Sequence, residues 1–114
     1  MRPTDRWEVY GKYSGRCAYC GVVLTLGRSG DTAFQVSHLR PPHRGGTDDL
    51  DNLVPACQTC KDFKETLSVE QFREQLSYLP ARLSGQDNYR LAVVYGLLIP
   101  TGNEPTFLLD GDAE

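Results

Sequence analysis

Apolar and polar residues alternate over positions 33–36 and lead into His38, the period of two expected of a half-buried strand. Residues 52–56 give a second, shorter strand signal, and Pro55 there suits an edge or a strand end. Residues 22–26 read as a further extended segment, and 27–31 as a turn. Helical spacing recurs elsewhere. Trp7, Tyr10 and Tyr13 follow Thr4 or Asp5 as N-cap. Trp7 is expected to anchor the core, with a nucleic-acid stacking platform as the other reading. A short helix is expected from Lys61 to about Glu65. Ser68 and Gln71 form a capping box that opens a helix through about Leu76, with Val69, Phe72 and Leu76 on one face. Pro80 interrupts, residues 81–86 form a loop, and Asp87 caps a third helix through Tyr95. Residues 97–100 and 106–109 are expected to pair as a C-terminal β-hairpin. Residues 39–51 hold two prolines and two glycines and read as a loop.

The size, 114 residues, fits one domain over 1–110, followed by a disordered acidic tail at 111–114. So small a chain buries a limited core, and a structural metal would help it considerably. No apolar run approaches the roughly 20 residues that span a bilayer. The N-terminus has no apolar stretch of the signal-peptide kind, so a reducing cytoplasm is expected and no membrane partner. The net charge is −3 and the pI about 5.3, which is not the footprint of a strong stand-alone nucleic-acid binder. The charge is uneven, however: positions 12–64 carry seven bases against five acids, while 104–114 carry four acids and no base.

Compartment decides how the cysteines are read. All four fall into two Cys-x-x-Cys pairs, Cys17 with Cys20 and Cys57 with Cys60, separated by 36 residues. Disulfides are rare in the cytosol, and two such pairs at this separation read as a four-thiolate structural zinc site. A redox pair needs only one Cys-x-x-Cys and a βαβ context that is absent here.

Two cysteine knuckles flank His38 at the end of a strand, the Gly45-Gly46 pair, and Asn52 before Leu53 and Val54. In this order the pattern, over roughly residues 15–66, resembles the HNH endonuclease family. The resemblance implies an α+β fold: a small zinc-stapled ββα-metal domain, here with extra helices and the hairpin. It implies that His38 is the catalytic base, that Asn52 orients it, and that the protein hydrolyses phosphodiester bonds in nucleic acid, DNA first. Arg40, Arg44, Lys61 and Lys64 are the expected nucleic-acid contacts.

Two positions depart from the family pattern. Ser37 stands where an aspartate normally binds the catalytic metal, and Lys61 where an asparagine or histidine does. A hydroxyl is a poor ligand for magnesium or another divalent ion, and an ammonium is none. Three readings follow. Cleavage survives with Glu65 and His43 as replacement ligands. Catalysis is lost, and the fold binds nucleic acid or a protein partner, for example as a phage or mobile-element antagonist of a host defence complex. Or the Lys61 ammonium itself offsets phosphate charge.

Overall fold

The structure, a computed structural model, describes residues 3–111. Helix α1 (Pro3–Gly11) comes first, then strands β1 (Phe34–His38) and β2 (Leu53–Cys57), and helices α2 (Gln58–Lys64), α3 (Val69–Ser77), α4 (Leu79–Leu83) and α5 (Asp87–Val94). The fold is α+β: a two-stranded antiparallel sheet with helices packed around it. Ser37 pairs with Val54, and His38 with Leu53. Among the described residues no helix is long and apolar enough to cross a membrane.

Every residue of β2 is buried, so it reads as a continuous apolar run rather than an alternation. Pro55 sits in its middle at no cost to the ladder. Its carbonyl accepts a hydrogen bond from Ala18 N at 2.8 Å, so that position's backbone polar side faces away from β1 and the missing N–H is not needed there. The first cysteine knuckle is thereby tied to β2. Val9, Tyr19, Phe34, Leu53, Val54, Phe72 and Phe107 belong to one buried cluster. Complete burial of Phe72 stabilises by roughly 1.5–3 kcal/mol. Tyr19 meets Phe72 and Phe107 edge-on at 5.2 and 5.3 Å.

The capping box at α3 forms as expected: Gln71 N donates to Ser68 Oγ and Ser68 N to Gln71 Oε1. Pro80 ends α3 but also starts α4, in whose first turn its missing N–H costs nothing. Residues 81–83 are therefore helical rather than loop.

Three expectations are corrected. Trp7 is not a core anchor. It is 61% exposed, because nine-residue α1 turns Val9 inward instead; Trp7 meets Tyr10 edge-on, at 5.7 Å. Residues 22–26 form single bridges, Arg16 with Val23 and Thr25 with Ala33, rather than a strand, and only Leu24 among their large apolar side chains is buried. The C-terminal β-hairpin does not form. Leu108 N and Leu109 N donate to Tyr19 O and Ala18 O at 3.0 and 2.8 Å, so the backbone meant for the second strand is engaged by the knuckle. Arg73 from α3 closes over this segment. It makes a bidentate pair with Asp110 at 2.8 and 2.9 Å and lies 4.5 Å above the Phe107 ring. The acidic tail expected at 111–114 falls, beyond Gly111, outside the described residues.

Candidate functional site

Two centres lie at opposite ends of the sheet. At the first, the ligand atoms of Cys17, Cys20, Cys57 and Cys60 all lie within 4.8 Å of one another. Gly21, at φ +79, turns the first knuckle in a conformation that glycine adopts without steric cost. Its N–H donates to Cys17 O at 3.0 Å. In the second knuckle Cys60 N donates to Cys57 Sγ at 3.4 Å as α2 begins. A tetrahedral zinc at about 2.3 Å from each sulfur needs sulfurs about 3.8 Å apart; Cys20 and Cys57 stand at 3.7 Å. The thiols also fit a cation electrostatically. The Cys17 thiol is drawn down to about 5, first by the hydrogen bond from Cys60 and then by backbone N–H groups. Cys60 is pushed up, chiefly by that same bond and by burial, and Cys57 up to about 11, chiefly by burial. One thiolate suppresses the others, so four can ionise together only around a positive ion. The four cysteines can therefore hold a metal.

At the second centre, His38 ends β1. Its Nε2 lies 2.8 Å from Asp48 Oδ1, and its side chain is 29% exposed. That hydrogen bond is the main reason the exposed Asp48 carboxyl sits below its usual range. Asp48 is the residue sequence reasoning missed. The available signal was its place directly after the Gly45-Gly46-Thr47 turn, in the loop that returns past His38.

Asn52 sends its side-chain hydrogen bonds to loop backbone rather than to the His38 ring. Its Nδ2 donates to Thr47 O at 2.7 Å and Arg40 O at 3.1 Å, and its Oδ1 accepts from Arg40 N at 2.9 Å. Asn52 thus staples both ends of the loop, and that loop carries Asp48. The two glycines serve the same turn differently. Gly45, at φ +85, caps a 3-10 turn over Pro42–Arg44. At Gly46 a Cβ would come 1.8 Å from Arg40 O, so only glycine fits.

Lys64 is corrected from its expected role as a nucleic-acid contact. It is 2% exposed, and its Nζ donates to His38 O at 2.7 Å. Burial lowers its pKa to about 8. It braces the end of β1 from inside the fold. Ser37 is also turned inward, 5% exposed, with its Oγ 3.0 Å from Tyr19 OH. Burial pushes the Tyr19 phenol up, so it stays a neutral hydroxyl.

His38, Ser37, Lys61 and Glu65 line one small cleft of about 120 Å³ with Pro41, Pro42 and Thr66. Glu65 has φ +46, an uncommon value for a residue with a side chain. Arg40 and Arg44 line a neighbouring open cleft that reaches Ser68 and Glu70 at the start of α3. His43 lies in the exposed 3-10 turn between these clefts. Among the described residues the cysteine quartet is the group of three or more His, Cys, Asp or Glu whose ligand atoms converge; His38, His43 and Glu65 form no such group. With Ser37 engaged by Tyr19 and the Lys61 cation in the same cleft, the donor set beside His38 does not fit a divalent ion.

The model of the HNH endonuclease family matches residues 17–66, from the first knuckle cysteine to just past α2. No curated protein matches the chain.

Proposed function

We propose, from the match of residues 17–66 to the HNH endonuclease family model, that this protein binds nucleic acid, with DNA as the first substrate to test, and hydrolyses phosphodiester bonds at His38. The observation that carries the reading is the His38–Asp48 pair at 2.8 Å in the cleft shared with Lys61. Asp48 accepts a hydrogen bond from Nε2–H and fixes the ring, which leaves Nδ1 to take a proton from water. The Lys61 ammonium offsets charge on the attacked phosphate, while Arg40 and Arg44 hold the strand alongside. No step is assigned to a second metal. The cysteine quartet is a structural zinc site on this reading, and the thiol cluster suits a reducing cytoplasm.

The test is nicking of supercoiled plasmid by zinc-loaded protein. His38→Ala should cost about 10²–10⁴-fold, and Asp48→Asn should lower the rate with the fold intact. Nicking should need no added magnesium, manganese or nickel.

One observation favours a second reading. The Ser37 hydroxyl is hydrogen-bonded to the Tyr19 hydroxyl, which supports a binding module that has lost hydrolysis, for nucleic acid or a protein partner. On that reading the native protein is silent with every metal, and Ser37→Asp with Lys61→Asn together restore metal-dependent nicking.

A further inference from the structure

The end of α5 and the segment after it form an apolar surface that nothing in the described fold covers. Leu91, Val94 and Tyr95 sit at helical spacings of three and four, on one side of the helix. They are 54%, 77% and 74% exposed. Tyr89, Ala92 and Val93 are half-buried. Gly96, at φ +72, turns the chain, and Leu97 N and Leu98 N both donate to Ala92 O. The helix is therefore closed by backbone bonds that hold the next residues beside it. Leu97, Leu98 and Ile99 continue the surface at 82%, 43% and 78% exposure.

We propose that this surface is a two-fold interface with a second copy of the same chain. No residue from 91 to 100 is charged. The surface therefore offers nothing to a phosphate backbone or to a charged peptide. Against its own copy it brings no like charges together and buries no ion, as an isologous contact requires. Arg90 and Asp87, at the N-terminal edge, are already paired with each other. The size also fits. The six apolar side chains expose on the order of 800 Å², the share one partner gives to a standard interface. Covering most of it on both copies buries about 1,200–1,600 Å² in total, within the range of stable complexes and above that of weak encounters. The inference is independent of the hydrolysis reading, since it uses no residue of either centre.

The experiment is sedimentation equilibrium of the zinc-loaded 114-residue chain in reductant, from about 1 µM to about 1 mM, a span that covers dissociation constants of ordinary strength. The mass should rise from 12.7 kDa to about twofold that value with concentration. Leu97→Glu with Ile99→Glu lie outside the helix at the two most exposed positions, so they leave the fold alone. That variant should stay at the single-chain mass while keeping the visible absorption of cobalt bound to its cysteines. A native chain that stays at the single-chain mass at every concentration overturns the proposal, and its apolar surface then serves a different partner. A twofold mass that persists in the folded double variant also overturns it.

Discussion

Tyr19 OH and Ser37 Oγ lie 3.0 Å apart in the interior and join the first cysteine knuckle to the strand that ends at His38. Each hydroxyl satisfies the other, and a buried hydroxyl left alone costs about 1–3 kcal/mol. Tyr19→Phe and Ser37→Ala should each destabilise by about that amount in urea unfolding of the metal-loaded protein. The double variant should lose less than the sum of the two, because no orphan remains. Strictly additive losses would mean that the pair is not coupled.

The buried Lys64 makes a pH prediction. Its folded pKa, about 8, lies below the ordinary lysine value near 10.4. The unfolded chain therefore binds more protons between those two values, and stability rises with pH across that window. The depression corresponds to roughly 3 kcal/mol of burial cost, fully present below pH 8. The gap in stability between native protein and Lys64→Met should shift in favour of the native chain as pH goes from 8 to 10. Comparing the two cancels contributions from the thiols. A gap constant over that range contradicts the assignment.

Asn52→Ala should loosen the loop from Arg40 to Asp48 without touching the core. It removes three hydrogen bonds to loop backbone, each worth about 1 kcal/mol net. Amide exchange should quicken at Arg40, whose N–H donates to Asn52 Oδ1, while β2 keeps its protection.

The glycine pair should separate on substitution. Gly45→Ala meets only the left-handed backbone penalty, about 1–2 kcal/mol. Gly46→Ala drives a Cβ into the Arg40 carbonyl, and the loop must move. Thermal melts should show a modest loss for the first. The second should also abolish whatever the His38 cleft binds or cleaves.

Much of this was readable in the chain. The two knuckles, the strand leading to His38 and the Ser68 capping box are local patterns, fixed by spacings of three to five residues. What escaped was set by contacts distant in sequence. Lys64 looked like a surface base because lysines usually are. Its spacing of four from Cys60 put it on the inward face of α2, where the open carbonyl of His38 could receive it. The hairpin failed for a similar reason: residues 108 and 109 pair with a knuckle some 90 positions earlier, which no local turn signal encodes. Trp7 was misread because three aromatic residues at helical spacing suggest a buried stripe, yet α1 is too short to bury more than Val9 and part of Tyr10.

The bonds from Leu108 and Leu109 to the first knuckle also set an order of assembly. The metal quartet is complete once Cys60 has been made, whereas the segment that closes over Tyr19 arrives some 50 residues later. On the ribosome, chains emerge from the N-terminus at about 5–20 residues per second. The ion can thus be captured seconds before Phe107 stacks on Phe72. In that interval the aromatic interior is open on one side, and an ion held by the four cysteines would be what keeps the nascent knuckle in shape.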